Sequence, residues 1–468
     1  MALKNNTDSN STLTIVNAFD LSPIKEIEEN NGADIEKMLL IANGLFRNKK
    51  KWLPSAKRID VLEKTIQLMQ QRSQNLAKTI TRESGKPLSS SLEEVSNAIN
   101  TVRVALGVLY TQQSASVFSE GSLPINGRPV TSRTEPIGTV VTIITCIDPL
   151  YPAVSQIIAA IATGCPIILR PSPRVPLSCL DFISILHKAE LPRGWVQHVF
   201  IRNFQLLEML VSDQRVNLFS FLGLAEDAWK LRAKLPPNTH FMLNEESTSS
   251  VIVTDDCDVY EVREALLKSC FLRARQGNGL VPLIFAHTSI ATQLATQLAM
   301  KVAGLRIGNP LNKNTQIGSL INEADTNRVH EYVLEAVQEG GQLLTGGEKL
   351  AETIYAPTVI FNPPKTCKLM HENAFGPVAL VVPWFKMEDV LEQTNLLSKA
   401  SRVSLFTRDL EKAFSISQNL QAPTVTINDV PFSSNFSRPL HKNYHSEFQG
   451  IEVRQQMEKL IVKKYTYF

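Results

Sequence analysis

Apolar positions between residues 34 and 120 recur with the period of an α-helix. Leu62, Ile66, Met69, Leu76 and Ile80 return every three or four residues or a multiple of that step, and Gly85-Lys86-Pro87 stops the run. From Gly138 the pattern changes. GTVVTIIT, Gly138 to Thr145, is an unbroken run rich in β-branched residues, the composition of a strand buried on both faces. YPAVSQIIAAIATG follows, with Val154, Ile157, Ile158 and Ile161 on one helical face and Gly164 placed as its C-cap. CPIILR, Cys165 to Arg170, is the next strand, so these segments spell a right-handed βαβ unit. WVQHVF, NLFSF, HFML and SVIVT are further strand candidates, several of them separated by helical patterns. The alternation predicts an open α/β sheet with helices on both faces.

After Asp258 the alternation restarts. Helices are expected near 259–272, 287–304 and 322–339, and strands at LIFA, around 355–361 and around 378–383. That is a second α/β domain. The C-terminal run KLIVKKYTYF, with Val462, Tyr465 and Tyr467, reads as a strand with one apolar face. Its expected partner is the hairpin-like region 121–136, remote in sequence. The first fourteen residues are rich in Asn, Ser and Thr, lack the apolar core of a signal peptide, and read as a disordered tail. No internal repeat is visible.

Composition adds exclusions. A chain of 468 residues exceeds one ordinary core and calls for two or three domains. Its 43% hydrophobic and 20% charged residues are those of a globular protein. A net charge of +3 gives no reason to expect a nucleic-acid partner, and the basic run Arg47, Lys49, Lys50, Lys51 is expected to offset the dipole of the helix it ends. Cysteines at 146, 165, 179, 257, 270 and 367 form no CxxC and no framework, which points to thiols in a reducing compartment and a cytoplasmic protein. The longest apolar stretch, Val140 to Leu169, is broken by Asp148, Pro149, Pro152 and Gln156, so no membrane partner is expected.

EPIG (Glu135–Gly138), GCPIILRPS (Gly164–Ser172), LRIGNPLNKNTQIGSLINEADTNRVHEYVLEAVQEGGQLLTGGEK, ENAFGPV (Glu372–Val378) and LFTRDL (Leu405–Leu410) follow one another in the chain. In that order and spacing they resemble the aldehyde dehydrogenase superfamily over nearly the whole length. The resemblance implies a Rossmann-type dinucleotide-binding domain over 15–120 and 137–245 and a catalytic α/β domain over 246–430. It also implies a small β oligomerisation element built from 121–136 and 431–468, and a homo-oligomer, dimer or dimer of dimers. The implied chemistry is aldehyde oxidation by NAD or NADP through a cysteine thiohemiacetal and a thioester.

The residues that carry that chemistry are changed. Gln276 aligns RARQGNGLV, Arg273 to Val281, with the family's GQxC loop, and the nucleophile position is then Asn278; a shift by one residue gives Gly277 or Gly279. An amide is no nucleophile at neutral pH, and Asn278-Gly279 reads as a turn. Cys270 shares a helical stripe with Val262 and Leu266 and reads as a core thiol. The general-base position falls on Asn244, followed by Glu245 and Glu246. The oxyanion-donor region reads Cys146-Ile147-Asp148-Pro149, where Asp148 repels an oxyanion and is expected to cap the next helix.

The cofactor positions are partly kept. Gly223 stays at the phosphate turn, but Leu224 replaces a hydroxyl, and Glu226 and Asp227 stand where a diphosphate is expected. Arg170, Ser172 and Pro173 replace the ribose clamp, with Arg170 a candidate for a ribose hydroxyl or a phosphate. Asn373 stands at the nicotinamide-ribose position beside a retained Phe375, and Asn428 matches a late family asparagine. His371, His441 and His445 lack metal-ligand spacing. The combined losses predict a degenerate member that binds NAD or NADP weakly or not at all. It would serve as a binding or structural subunit, with an active homologue as candidate partner. The alternative is an NAD(P)-dependent aldehyde oxidoreductase with a non-standard nucleophile.

Overall fold

The structure is a computed structural model that describes residues 12–114, 130–146, 148–223, 225–245, 248–272, 283–396, 400–422, 424–430 and 453–467. The chain enters as an antiparallel pair, β1 (Thr12–Val16) and β2 (Pro23–Glu28). Ile15 and Ile27 pack with Leu177 and Phe200. The last three residues of the expected tail therefore belong to a strand, because Thr12 to Thr14 pair with Glu28 to Glu26 and carry Ile15 into that small core.

Four helices follow: α1 (Gly32–Arg47), α2 (Ser55–Gln71), α3 (Ser73–Ser84) and α4 (Leu88–Ser114). The periodic run from Leu62 to Ile80 is two helices broken at Arg72, with one apolar stripe carried across the break. Gly85 ends α3 at φ +77, and a Cβ there would meet the Ser319 backbone oxygen, so only glycine fits the turn. In the basic run, Lys49 has a specific task beyond the helix dipole. Its ammonium pairs with Glu135 at 2.7 Å and lies 4.8 Å from the Trp52 ring centroid.

After β3 (Val130–Pro136) the first parallel sheet begins. Its strands are β4 (Thr139–Ile143), β5 (Ile167–Arg170), β6 (Val196–His198), β7 (Val216–Gly223) and β8 (His240–Glu245). The order is β6-β5-β4-β7-β8, parallel throughout. The connecting helices are α5 (Tyr151–Thr163), α6 (Leu177–Lys188), α7 (Phe204–Val211) and α8 (Ala225–Arg232). Val140, Ile144, Ile167, Leu169 and Leu218 face α4, α5 and α6, whereas Val141, Ile143, Ile168, Phe219 and Phe221 face α1, α7 and α8. Burial on both faces is why these strands read as continuous apolar runs. Gly164 caps α5 at φ +83 as expected.

The second sheet is built from β9 (Thr248–Val253), β10 (Leu283–His287), β11 (Gln342–Thr345), a small hairpin of β12 (Lys349–Ala351) and β13 (Ile354–Tyr355) beside it, β14 (Thr358–Phe361), β15 (Val378–Trp384), β16 (Ala400–Phe406) and β17 (Thr424–Ile427). Its order is β11-β14-β15-β10-β9-β16-β17, parallel except at the β11–β14 edge. The helices are α9 (Val259–Leu267), α10 (Thr288–Ala303), α11 (Glu323–Gln338), α12 (Lys368–His371), α13 (Met387–Leu396) and α14 (Leu410–Asn419). The single strand expected over 355–361 is divided between β13 and β14, since Pro357 has no N–H to continue a ladder. No helix among the described residues is long and apolar enough to cross a membrane.

The chain closes with α15 (Val453–Lys459), docked on α4 and α5, and β18 (Ile461–Tyr467). β18 pairs antiparallel with β3, from Ile461 opposite Pro136 to Tyr467 opposite Val130, the long-range pairing that the sequence suggested. The expectation of one apolar face is not met. Val462 and Tyr465 are both exposed, and three residues apart in a two-residue period they stand on opposite faces.

Where the order of the second sheet reverses, between β9 and β16, Asp256 fills the crevice. Its carboxylate accepts from Thr407 Oγ1 at 2.9 Å, Arg408 N at 2.8 Å and Asp409 N at 3.2 Å, and from the Thr254 hydroxyl. Burial works against its charge, but these donors outweigh it and hold the carboxyl down to about 2. A depressed pKa contributes stability above the unfolded value, and that contribution is lost as pH falls from about 4 towards 2. Asp256→Asn is expected to cost about 1 kcal/mol near neutrality, a modest figure because the carboxylate is partly solvated. It should also flatten the acid limb of the unfolding midpoint plotted against pH. An acid limb as steep as that of the parent protein would contradict the assignment.

Candidate functional site

In the first sheet the strand order reverses between β4 and β7, and open parallel sheets take ligands outside the carboxyl ends of their strands at such a point. Gly223 ends β7 there. A Cβ on it would stand 2.5 Å from Thr145 Cγ2 and 2.9 Å from the Phe221 ring, so the loop after β4 passes directly against the end of β7. Arg170 ends the neighbouring β5. Its Nε and Nη2 donate to the Ile201 carbonyl at 3.2 and 2.9 Å, and its Nη1 carries no hydrogen bond among the described residues. Burial pulls the guanidinium down to about 10, against Asp227 and Glu29, and it stays charged at neutrality. The Ser172 hydroxyl is buried and accepts from Arg174 N at 3.4 Å, so it serves its own turn.

These groups fit one part of a dinucleotide better than another. A guanidinium with a spare N–H at the end of β5 suits a ribose hydroxyl or a phosphate. The first turn of α8 carries Glu226, paired with Lys230 at 2.7 Å, and Asp227, both exposed. Two carboxylates at a helix N-terminus take up the positive end of the dipole and oppose a diphosphate.

Beside this edge lies a buried ion network that the sequence did not disclose. The Lys86 ammonium sits 2.6 Å from Glu94 and 2.5 Å from Asp148, with Lys86 and Glu94 side chains 5% and 3% exposed and Asp148 28% exposed. Burial opposes the Lys86 charge, but the two carboxylates overcome it and hold its pKa above the ordinary lysine value. Burial lifts the Asp148 carboxyl to about 6 against the pull of Lys86. Asp148 does not cap α5. The N–H groups of Leu150 and Tyr151 donate instead to Glu94 Oε1, at 2.8 and 2.9 Å, because Lys86 draws the Asp148 carboxylate away and α4 brings Glu94 beneath the helix start. Asp148 itself is held at φ +47, a left-handed conformation that costs a non-glycine residue of order 1 kcal/mol. One turn earlier on α4, Ser90 Oγ donates to Leu272 O, the last described residue before the loop that contains position 278.

The same device recurs at α6. Glu83 accepts from Leu177 N at 2.6 Å and Ser178 N at 3.0 Å, and burial lifts its carboxyl to about 8 in spite of those donors. In the sequence Lys86 appears only as part of a helix stop, and nothing singles out Glu83 or Glu94. No local pattern marks these charges, because the groups they satisfy are remote in the chain.

On the second domain, Asn373 Oδ1 accepts the Phe375 N–H at 2.9 Å, and Phe375 adopts φ +52. Asn373 therefore shapes this turn. Asn428 does similar work at φ +53, accepting Thr407 N at 3.0 Å beside Asp256. Asn278 lies outside the described residues. Asn244 pairs with Leu222 in β8, and its side chain is outside them too. Cys270 is buried with Val262 and Leu266, and burial pushes its thiol up to about 12, so it is a core thiol. His371 Nε2 contacts Lys365 O at 2.7 Å, His441 and His445 fall outside the described residues, and no group of metal-binding side chains occurs among those described.

Comparison with known proteins agrees with this architecture. The model of the aldehyde dehydrogenase family matches residues 5–450. The chain is 26% identical over 424 residues to a 3-sulfolactaldehyde dehydrogenase of Priestia aryabhattai, covering 89% of this chain and 87% of that protein. It is 27% identical over 421 residues to a lactaldehyde dehydrogenase of Methanocaldococcus jannaschii, covering 89% of each. Among solved structures, the glyceraldehyde-3-phosphate dehydrogenase of Methanocaldococcus jannaschii complexed with NADP matches at a TM-score of 0.88 and 25% identity, over 98% of this chain and 99% of that one. An aldehyde dehydrogenase of Physcomitrella patens in complex with the reaction product succinate matches at 0.87 and 25% identity, over 100% and 97%. With a family model spanning almost its full length and the same two-sheet architecture, the chain belongs to the aldehyde dehydrogenase family.

Proposed function

We propose that the protein keeps the ligand classes of its family, a nicotinamide dinucleotide and an aldehyde, and departs from it in the chemistry between them. The observation that carries this reading is the pairing of a retained β4–β5–β7 edge, with Arg170 charged at its rim, with an asparagine at the nucleophile position 278. A bound dinucleotide supplies a hydride acceptor. Arg170 would hold a ribose hydroxyl or a phosphate, and the Asn373–Phe375 turn would hold the other ribose. Asp148, bearing a carboxylate where an oxyanion donor is expected, disfavours build-up of negative charge on a bound carbonyl.

A second reading, an active oxidoreductase with another nucleophile, is favoured by the names of the relatives and by Cys146. That thiol is half-buried on the loop after β4, two residues before Asp148, whereas Cys165, Cys179, Cys270 and Cys367 are buried. An aldehyde oxidation assay separates the readings. Purified protein with NAD or NADP and short aliphatic or aromatic aldehydes is expected to form no reduced cofactor above a no-protein control. Reduced cofactor formed by the parent protein and lost in Cys146→Ser would establish the second reading.

Dinucleotide affinity tests the cofactor assignment. Loss of several charged or hydroxyl contacts, each worth about 1–3 kcal/mol, moves a micromolar site to a dissociation constant of about 0.1–1 mM. Calorimetry should show Arg170→Ala weakening NAD further, by about tenfold, and Glu226→Gln with Asp227→Asn tightening it severalfold, since those carboxylates oppose the diphosphate. A parent constant of a few micromolar, or no tightening in the double variant, would refute the account of α8.

The β3–β18 ribbon supports a homo-oligomer. A two-stranded ribbon is marginal by itself and has unpaired edges, and here Val462 and Tyr465 are exposed on its two faces. Docking on a second copy would cover them. Light scattering at micromolar concentration should give a dimer or tetramer, reduced on deleting residues 461–468. A 52.1 kDa species throughout would rule the assembly out.

A further inference from the structure

α11 carries a polar face that the second core does not use. Val329, Val333 and Ala336 of this helix are buried in that core, while Asp325, Arg328 and Tyr332 recur at i, i+3 and i+7 on another face. All three reach out of the helix towards loops. Asp325, buried, receives the Arg174 guanidinium on both oxygens at 3.3 and 3.1 Å. Arg328 pairs with the same carboxylate at 3.1 Å, donates to Ala374 O at 3.3 Å, and lies 5.7 Å from the Phe375 ring centroid. Tyr332 Oη donates to Glu372 Oε2 at 2.5 Å, and burial together with Glu372 lifts the phenol to about 12.

Arg174 comes from the loop that leaves β5 just after Arg170, on the first sheet. Glu372 to Phe375 lead into β15 on the second. One helix face therefore grips both loops, and Asp325 is the only one of its three residues bonded to the first-sheet side among the described residues. The Phe375 turn, with a left-handed non-glycine residue, needs such outside support. Replacing Asp325 by a neutral group of the same shape would leave two guanidiniums facing each other without the carboxylate between them.

We propose that Asp325 is a positioning residue for the dinucleotide cleft, tying the loop after β5 to the Glu372–Phe375 loop and so fixing the distance between its two walls. The inference rests on the reading that a dinucleotide spans those walls. A ligand that touches both walls feels the tie, and a ligand confined to the Arg170 wall does not.

The test uses full-length protein carrying Asp325→Asn or, separately, Arg174→Gln. Calorimetry compares NAD with AMP, and hydrogen exchange is followed in the unliganded protein. Both variants are expected to weaken NAD about tenfold while leaving AMP within about twofold, a coupling of ordinary size. Amide exchange should quicken together at 172–175 and 372–376. Equal weakening of NAD and AMP would reduce Asp325 to a purely structural residue and overturn the proposal, as would unchanged affinities. If the parent protein binds AMP but not NAD, the spanning reading fails. The exchange data then decide the tie alone: joint quickening supports it, and quickening at one loop or neither overturns it.

Discussion

The Glu94 carboxylate is buried, and α4, α5 and the loop after β4 are arranged to satisfy it. One oxygen takes the N–H groups of Leu150 and Tyr151 at the start of α5; the other takes the Lys86 ammonium. Lys86 in turn holds Asp148, which bends the chain through a left-handed residue at the carboxyl end of β4. Removing one member of such a network leaves an uncompensated charge, which typically costs about 3–5 kcal/mol. The helical layer is thereby locked to the first sheet at the carboxyl ends of its strands. Glu83 repeats the arrangement at α6, so two crossover helices begin on carboxylates supplied by α3 and α4.

That network also explains why the candidate site was only partly legible from sequence. Strands buried on both faces announce themselves as apolar runs, and the β4–α5–β5 unit, the later strands and even the remote pairing of β18 with β3 could be read. Helix caps supplied from elsewhere in the chain leave no local trace. Asp148 sits where a cap is expected, directly before a proline, yet its carboxylate answers to Lys86, sixty-two residues away. Asn373 shows a related limit: the sequence places it at the nicotinamide-ribose position but does not disclose that its amide oxygen also holds the turn at Phe375. The break at Arg72 and the division at Pro357 are simpler, because they depend on local backbone geometry that an apolar period does not encode.

Within the family frame, the two walls of the cleft have fared differently. The first-sheet wall carries a charged rim at Arg170 and, on α8, two acidic residues of the same sign as a diphosphate, which repel it. The second-sheet wall keeps its turn and braces it from α11, through Arg328 and Tyr332. Position 278, by contrast, is an amide, which forms no thioester.

In the proposed function a dinucleotide and an aldehyde meet in this cleft without a thiol adduct. A crystal structure of the full chain soaked with NAD and a short aldehyde would decide the point. Dinucleotide is expected across the carboxyl ends of β4, β5 and β7, with a ribose or phosphate oxygen on Arg170 and every cysteine unmodified. Density for an adduct on Cys146 or any other thiol, or a cleft that admits no dinucleotide, would contradict it.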